Sequence, residues 1–290
     1  MKTISEFVLV LYFIFEYAYS QDFGQISQQN QDFGYDGNTG PDFWGQMYNH
    51  ECSNGKLQSP IDIEEKDVTI VHYSPIIFQN FDTPLETIKL QNNGHTVVFS
   101  IVNGTFPLVY GGPLKSAYNF SQLHFHWGRT DDEGSENQIN NHSFPLELHM
   151  VFYKADYENF KASVDHPDGL IVLSFLYEKS DEDNENYSAF TENLPAIQEV
   201  GSTVEIDDFV SLDSFSTTDR YEYFLYTGSL TTPPCSEAVT WIEFRKTISL
   251  SHKQIQKFRL ISGTNGILDH NFRPIQPLHD RTIYLNLPEN

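Results

Sequence analysis

Three histidines lie in two short apolar segments, at spacings suited to metal chemistry. His124 and His126 stand two residues apart in QLHFHW (residues 122–127), and His149 lies in LELHMVFY (residues 146–153). Neutral imidazoles are good zinc ligands, and three of them leave the fourth tetrahedral position open to water, as in catalytic sites. A His-x-His pair alone is weak evidence, because half-buried histidines are common in sheets. The third histidine is what favours a metal site.

Positioning these imidazoles on one surface requires two paired strands. Alternate residues of a strand share a face, so the two histidines of residues 122–127 point the same way. Gln122 and Glu147 each precede a histidine by two residues on its own face. Each can therefore accept the N–H of the ring nitrogen that does not bind metal. The opposite face of the first strand carries side chains suited to a core: Leu123, Phe125 and Trp127.

The rest of the chain predicts a mainly β protein with few helices. Residues 251–260 open with serine and have apolar spacing, which predicts an amphipathic helix, and residues 189–199 are a weaker helix candidate. No linker is evident, so we expect one domain over residues 33–288. Turn-forming Asn-Gly, Gly-Gly-Pro and Pro-Asp-Gly sequences separate segments that are predicted strands: 96–102, 146–153, 170–176 and 238–244.

The chain is strongly acidic, with a formal net charge of −23 over 290 residues. Nucleic acids and anionic membranes need cationic contacts, so the charge argues against both as partners. An acidic solvated surface is the simplest interpretation, and weak cation binding stays open. The acidic run at residues 181–186 is predicted to be a solvated loop. Calcium binding there is a minor alternative, because no ligand spacing is evident.

The first twenty residues have the pattern of a secretory signal. Lys2 precedes an apolar run at residues 7–15, and the small residues Ala18 and Ser20 predict cleavage after Ser20. That run is short for a membrane span, although an N-terminal anchor or a buried helix remains an alternative. Residues 21–32 are polar and predict a flexible leader. The C-terminal NLPEN has no hydrophobic tail of the lipid-anchor type, so we expect a secreted protein with no membrane anchor.

Two further features are typical of exported proteins. Cys52 and Cys235 are the two cysteines of the chain, and an even pair in an exported protein favours a disulfide over two unrelated buried thiols. Each Asn-x-Ser/Thr sequence is weak evidence alone, so we expect only some of them to carry a glycan. The glycosylation candidates are Asn103, Asn119, Asn141 and Asn186.

The segments LHFHWG and LELHMV are accompanied by many other blocks in the order typical of one family. The chain resembles the α-class carbonic anhydrases over about residues 35–285. TTPPCSE, together with a cysteine near the start of the domain, resembles the extracellular members, in which that pair forms a disulfide. The other matching blocks are QSPIDI, NNGHTV, GGPL, GSEN, PDGLIVL, GSLTTPPCSE, VTWIEF, KFR and NFRPIQPL.

The resemblance implies a fold, a cofactor and a reaction. The fold would be α+β and mainly β, with a large central twisted, mostly antiparallel sheet and short peripheral helices. His124, His126 and His149 match the ligands of one zinc ion per chain. The reaction would be the reversible hydration of carbon dioxide to bicarbonate and a proton, by attack of zinc-bound hydroxide in an apolar pocket. The partners are thus CO2, water and bicarbonate, and we expect a monomer while a dimer stays open.

The family also supplies roles for three catalytic residues. Thr231 matches the threonine that accepts a hydrogen bond from zinc hydroxide, and Glu136 matches the glutamate that accepts the threonine's proton. Turnover exports one proton per cycle, and His95 matches the shuttle, since an imidazole gains and loses a proton near neutral pH. Without the resemblance, Thr231 would be interpreted as part of a turn and His95 as a surface loop residue.

Further positions match by the same comparison. Asn271 matches a residue whose backbone carbonyl supports one zinc-bound histidine, as Gln122 and Glu147 are expected to support the other two. Tyr35 and Asn93 match polar residues of the water network that leads to the shuttle. Thr232 matches a residue that contacts bicarbonate. The wall of the CO2 pocket would be formed by Val151, Val172, Leu230, Val239 and Trp241.

Two positions depart from the family pattern. Val98 stands where an Asn or Gln usually takes part in proton-transfer water, and Ser121 stands where a larger apolar residue commonly lines the cavity mouth. We expect intact hydration chemistry with altered proton transfer or inhibitor fit. The alternative class is a non-catalytic carbonic-anhydrase-like protein of binding or matrix function. Such relatives usually lack one zinc histidine, whereas this chain has all three, together with Thr231 and Glu136.

Overall fold

The computed structural model describes residues 33–289, and the compact unit it contains begins at Gly34. The predicted signal of residues 1–20 and the leader of residues 21–32 lie outside the described residues. No helix within 33–289 is long and apolar enough to cross a membrane.

Strands dominate the architecture, as predicted. The strands of residues 33–289 are β1 Asp62–Ile63, β2 Thr69–Val71, β3 Ile76–Gln79, β4 Leu85–Asn92, β5 Val97–Asn103, β6 Leu108–Gly111, β7 Tyr118–Trp127, β8 Gln138–Ile139, β9 Leu146–Lys154, β10 Leu170–Ser180, β11 Thr203–Phe209, β12 Tyr223–Gly228, β13 Val239–Ser251, β14 Ser262–Gly263, β15 Gly266–Ile267 and β16 Tyr284–Asn286. Twelve of them form one sheet, whose main path runs β11-β4-β5-β7-β9-β10-β13-β12-β16-β2, with β3 paired to β6 and β6 paired to β7. Among these described strands, only the β10–β13 and β16–β2 pairings of the sheet are parallel.

The α-helices of residues 33–289 are short and few. They are α1 Pro41–Met47, α2 Glu51–Asn54, α3 Phe160–Ser163, α4 Ser188–Asn193 and α5 His252–Phe258. Short 3-10 turns occur at Gly37–Thr39, Glu65–Asp67, Glu185–Tyr187, Leu194–Ile197 and Leu212–Phe215. The predicted fold class, mainly β with a mostly antiparallel sheet and small helices, is confirmed.

The two predicted helices are both present but shorter than predicted. Helix α5 begins after Ser251, which accepts from the Gln254 N–H while the Gln254 side chain accepts from the Ser251 N–H. This reciprocal cap satisfies backbone donors that a helix start leaves free. In the weaker candidate, α4 ends at Asn193 and a 3-10 turn that contains Pro195 follows, because a proline donates no backbone hydrogen bond.

Burial in β7 follows the predicted alternation. Leu123, Phe125 and Trp127 are fully buried in the larger apolar cluster. Phe125 lies within 5.0 Å, centroid to centroid, of both Phe190 and Phe258, so the core side of the strand contacts α4 and α5. These contacts fix which face of β7 points inward, and hence where its histidines point.

The predicted disulfide is present. Cys52 in α2 is bonded to Cys235, which lies 183 residues later in the loop before β13, with the Cα atoms 5.1 Å apart. Among the glycosylation candidates, Asn103, Asn141 and Asn186 are exposed, whereas Asn119 is half-buried within β7. The Asn141 side chain donates to Glu64.

Candidate metal centre

The three predicted histidines converge. His124 on β7 lies directly opposite His149 on β9, and His126 lies opposite Glu147, because the two strands pair antiparallel. One ligand atom from each ring lies within 4.8 Å of the others. His126 and His149 are buried and His124 is half-buried, so one side of the cluster remains accessible.

Each imidazole makes a hydrogen bond that fixes one ring nitrogen and leaves the other directed into the cluster. Nδ1 of His124 bonds to Oε1 of Gln122 at 2.9 Å, and Nδ1 of His126 bonds to the Asn271 carbonyl at 2.7 Å. Nε2 of His149 bonds to Oε1 of Glu147 at 2.7 Å. Since these partners accept, each bonded nitrogen carries the proton, and Nε2, Nε2 and Nδ1 respectively remain as lone-pair donors.

Electrostatics favour the neutral form of His124 and His126. Burial lowers the pKa of His124 well below its usual value, and the neighbouring imidazoles lower it further. Burial, followed by the nearby His149, lowers the pKa of His126 to about 3. Nε2 of His126 is buried and has no hydrogen-bond partner among residues 33–289. Imidazole nitrogens of this kind, of which Nε2 of His126 has no hydrogen-bond partner among the described residues, match the donor set that zinc prefers.

Glu147 is fully buried and accepts hydrogen bonds from several donors. Besides His149, its Oε1 accepts from the Ser174 hydroxyl at 2.7 Å and from the Asn137 side chain at 2.8 Å. Its Oε2 accepts the backbone N–H groups of Glu136 and Asn137 at 2.7 and 2.8 Å. Although burial favours the neutral acid, His149 and these donors hold the pKa of Glu147 below its usual value. The carboxylate therefore fixes the orientation of the His149 ring.

Asn271 connects the cluster to two other segments. Its backbone carbonyl accepts from His126, while its side-chain oxygen accepts the Trp127 N–H at 2.7 Å. Its side-chain nitrogen donates to the carbonyls of His95 and Phe125 at 3.0 and 2.9 Å. One asparagine thus fixes the end of β7 against the turn that carries His95.

A second buried glutamate lies next to the histidines. Oε2 of Glu136 is 3.4 Å from Nε2 of His126, and its Oε1 accepts the Arg273 N–H at 2.8 Å. Burial raises the pKa of Glu136 well above its usual value, the charge of Glu147 raises it further, and the Thr231 hydroxyl acts in the opposite direction. The predicted threonine–glutamate pair is therefore brought together beside the cluster.

The sequence matches the family model of the eukaryotic-type carbonic anhydrases over residues 39–287. The chain belongs to the carbonic anhydrase family. It is 36% identical over 261 residues to carbonic anhydrase 7 of Mus musculus, with 87% of this chain and 96% of the mouse protein covered.

Other relatives include both proteins named carbonic anhydrase and proteins named carbonic anhydrase-related protein. Carbonic anhydrase 15 of Mus musculus is 34% identical over 260 residues, with 84% of this chain and 79% of that protein covered. The carbonic anhydrase-related protein of Rattus norvegicus is 33% identical over 248 residues, with 80% and 83% covered. Membership in the carbonic anhydrase family supports a lyase that acts on small molecules, and the argument for activity then depends on the site residues.

The expected apolar wall lies beside the candidate carbonic anhydrase site. Trp241 packs edge-on against the His149 ring, with centroids 4.7 Å apart. The Trp241 indole N–H donates to the Ser229 carbonyl at 3.1 Å, which leaves the ring fixed. All five predicted wall residues belong to one apolar cluster, in which the first four are buried and the last is partly buried: Val151, Val172, Val239, Trp241 and Leu230. Thr232 is half-buried next to Thr231.

The predicted proton-network residues occupy two segments. His95 is half-buried in the turn before β5, and the Asn93 side chain accepts the N–H groups of His95 and Thr96, each at 2.9 Å. Asn93 thus shapes the turn that presents His95. Tyr35 is half-buried, and its ring packs against Trp44 and His270. Burial and the charge of Glu136 raise the pKa of the Tyr35 hydroxyl well above its usual value.

The two departures from the carbonic anhydrase pattern lie close to the histidines. Val98 on β5 lies directly opposite His124 on β7. Ser121 is buried at 5% exposure and falls at the register shift between Phe120 and Gln122, so it is the extra residue of a β-bulge.

Several residues of the site were not identified from the sequence. Asn137 contacts Glu147 and Glu243, Ser174 contacts Glu147, and Arg273 contacts Glu136 through its backbone. Ser174 and Glu243 had a detectable signal, because Ser174 is the one polar residue of LIVLSFL and Glu243 is the one charged residue of VTWIEF. Asn137 lies in a loop, where no periodicity indicates its orientation.

Proposed function

We propose that this protein is a zinc enzyme that catalyses the reversible hydration of carbon dioxide to bicarbonate and a proton. The observation that carries the proposal is the convergence of three ring nitrogens, one each from His124, His126 and His149, that the hydrogen bonds of these rings leave free. These rings lie between a buried Glu136 and an apolar cluster that contains Trp241. A polar reactant and an apolar one can thus meet at one place.

Zinc would be held by Nε2 of His124, Nε2 of His126 and Nδ1 of His149. When bound in such a site, it supplies Lewis acidity that lowers the pKa of water towards neutrality, for which carbonic anhydrase is itself the standard example. Gln122, Asn271 and Glu147 keep the three rings in the tautomer that presents a lone pair. Outer contacts of this kind make a site both ordered and selective.

Thr231 and Glu136 would orient the attacking group. A threonine hydroxyl has one proton, and if Glu136 accepts it, the Thr231 oxygen can act only as an acceptor. The site then favours a reactant that has a proton to give and disfavours one that has none. The Arg273 N–H, which bonds to the other Glu136 oxygen, keeps the carboxyl group aimed at the site.

Carbon dioxide would occupy the apolar side. It has no net dipole and gains little from polar contacts, so a wall of valine, leucine and tryptophan suits it. The wall residues are Val151, Val172, Leu230, Val239 and Trp241. Thr232, which follows Leu230 of this wall by two residues, would contact the bicarbonate product.

Proton export would use His95. The turn that carries His95 is fixed by the Asn93 side chain, and Asn271 links it to β7 by donating a hydrogen bond to the His95 carbonyl. Asn93 and the Tyr35 hydroxyl, whose pKa is raised by burial and by the charge of Glu136, would order the water between the site and His95. An imidazole can then deliver the proton to buffer at neutral pH.

The enzyme is further proposed to be secreted and glycosylated. The Cys52–Cys235 disulfide supports an oxidising compartment. Of the four candidates, the exposed Asn103, Asn141 and Asn186 are more accessible to modification than Asn119.

A stopped-flow hydration assay on the purified protein tests the catalytic proposal. We expect activity in the zinc-loaded protein, loss of activity after chelation, and recovery on adding zinc back. His124→Ala should lose the activity while the fold is retained, since the residue is half-buried and lies on the polar face of β7. A folded, zinc-loaded protein without hydration activity would instead favour the non-catalytic binding or matrix function, and full activity of His124→Ala would refute the metal mechanism.

A further inference from the structure

One buried carboxyl group has no place in the proposed reaction. Glu243 on β13 is fully buried, and its Oε2 accepts from the Asn137 side chain at 3.2 Å. Its Oε1 is buried and has no hydrogen-bond partner among the described residues. An ionised carboxylate buried without a cation and with a bare oxygen is costly, so its presence in an apolar strand requires a physical reason.

Sheet register places Glu243 in the same row as the candidate metal ligands. His124 on β7 lies opposite His149 on β9, His149 lies opposite Ser174 on β10, and Ser174 lies opposite Glu243 on β13. Directly paired residues of neighbouring strands project from the same face of a sheet. The Glu243 side chain therefore belongs to the face that carries the histidines, two strands beyond His149.

The hydrogen bonds connect Glu243 to this ligand through shared partners. The Asn137 side-chain nitrogen donates both to Glu243 and to Oε1 of Glu147. The Ser174 hydroxyl, adjacent to Glu243 in the register, donates to the same Glu147 oxygen. Oε1 of Glu147 in turn accepts from His149. Asn137 is fixed on its other side by the Tyr226 hydroxyl, which donates to its Oδ1 at 2.8 Å.

The protonation state follows from the available donors. Ser174 has one hydroxyl proton and uses it on Glu147, so it cannot donate to Glu243 at the same time. A proton on Oε1 of Glu243 removes the charge, so the carboxyl group is far less costly to bury, and that oxygen can then act as a donor towards the neighbouring strand position, Ser174. The electrostatics agree: burial raises the pKa of Glu243 well above its usual value, and the charge of Glu147 raises it further.

We propose that Glu243 is a neutral carboxylic acid and a positioning residue of the metal centre. It holds Asn137 and Ser174 so that both donate to Glu147, and Glu147 then fixes the His149 ring. The inference rests on the proposed zinc site. It adds a layer of contacts behind Glu147 that the hydration chemistry itself does not require.

Three variants distinguish a positioning role of Glu243 from an effect of its charge and from a general loss of protein stability. Glu243→Gln keeps the size, stays neutral, and offers one donor and one acceptor. Glu243→Leu removes both polar functions. Ile242→Ala is the matched control, because it weakens the same strand through a fully buried neighbour that belongs to the opposite, larger core cluster. Each is prepared as the full zinc-loaded protein, and its fold is checked by circular dichroism.

The measurement is the rate of zinc release to excess chelator, together with the visible spectrum of the cobalt-substituted protein. We expect Glu243→Leu to release zinc about tenfold faster and to show an altered cobalt spectrum, because loss of an outer partner of a metal ligand typically weakens metal affinity by about 10–100-fold. Glu243→Gln should stay within about twofold of the parent protein, because rescue by a neutral isostere is what the acid form predicts. Ile242→Ala should leave both readouts unchanged.

Each of the other possible results bears on one part of the proposal. Parent-like release by Glu243→Leu would overturn the positioning role, and release by Ile242→Ala as fast as by Glu243→Leu would show that only stability was measured. Loss of zinc in Glu243→Gln equal to that in Glu243→Leu would overturn the neutral-acid assignment. If Glu243→Leu does not fold, Glu243→Gln and Ser174→Ala decide: parent-like cobalt spectra in Ser174→Ala would overturn the connection. A parent protein that binds no zinc would instead refute the proposed function, and this inference with it.

Discussion

His124 and His149 lie directly opposite each other on strands β7 and β9, with ring centroids 5.3 Å apart and planes at 90°. The third ring, His126, reaches the same cluster from one pleat further along β7. Because side chains alternate along a strand, a one-residue slip of this pairing would send one set of imidazoles into the core. The metal centre is therefore a consequence of strand register, which the buried apolar face of β7 enforces.

Loss of the Gln122 side chain should weaken metal binding without unfolding the protein. Gln122 fixes the proton of His124 on Nδ1, so Gln122→Ala frees the ring to rotate and to change tautomer. We expect zinc affinity to fall about 10–100-fold, measured by competition with a chromophoric chelator. Asn119→Ala on the same strand is the control and should bind zinc as the parent does. Equal affinity of Gln122→Ala and parent would contradict the role.

The disulfide should contribute strongly to stability. It joins residues 183 positions apart and so removes much of the conformational freedom of the unfolded chain. Replacing both cysteines with serine should lower the free energy of unfolding by about 2–5 kcal/mol, measured by denaturant titration. In the unfolded but unreduced parent, a thiol assay should find no free thiol. Two reactive thiols in that assay would refute the Cys52–Cys235 bond in the purified protein.

Residues on regular strands were predictable because a strand has a fixed side-chain period. The face of QLHFHW, the support of His124 by Gln122 and the support of His149 by Glu147 all follow from that alternation. Strand ends were less predictable. Strand β13 continues to Ser251, past the predicted end at Phe244, because after a register shift it pairs with the extension of β10 from Tyr177 onwards.

Contacts between distant segments were not predictable from local pattern. Asn137 lies in a loop, yet its side chain meets carboxyl groups from β9 and β13. The roles assigned to Thr231, Asn271 and His95 came from family resemblance, since nothing in their local sequence indicates that a loop residue will lie beside a β7 histidine. Packing of separate loops onto one sheet face decides such contacts.

Val98 should limit proton export when buffer is scarce. It lies opposite His124, where an apolar side chain cannot hold water for a proton relay. Val98→Asn should therefore raise turnover in weak buffer and leave the rate in concentrated buffer unchanged, as measured by stopped-flow hydration. Val102→Asn, at the exposed end of the same strand, serves as the control. Unchanged rates of Val98→Asn in weak buffer would count against this role.

The metal-free protein should lose stability in mild acid because of its buried imidazoles. Burial and the neighbouring His149 lower the pKa of His126 to about 3 in the folded state, whereas an unfolded histidine titrates near its ordinary value of about 6.5. Between these two values the unfolded chain binds a proton that the folded chain does not. Stability is therefore full above the upper value and falls as the pH decreases towards the lower one.

Comparison with a variant isolates this contribution from the carboxyl groups that titrate in the same range. His126→Asn lacks the titrating ring. Between about pH 6 and 4, the free energy of unfolding of the metal-free parent should therefore fall with decreasing pH more steeply than that of the metal-free variant, by about 1.4 kcal/mol per pH unit. Urea titrations of both proteins at half-unit steps measure the difference. Parallel curves would show that His126 is already protonated, or already exposed, in the folded metal-free protein.

Zinc added to the parent should raise its free energy of unfolding near neutral pH without making the curve less steep, because bound metal excludes protons from the folded state and not from the unfolded chain.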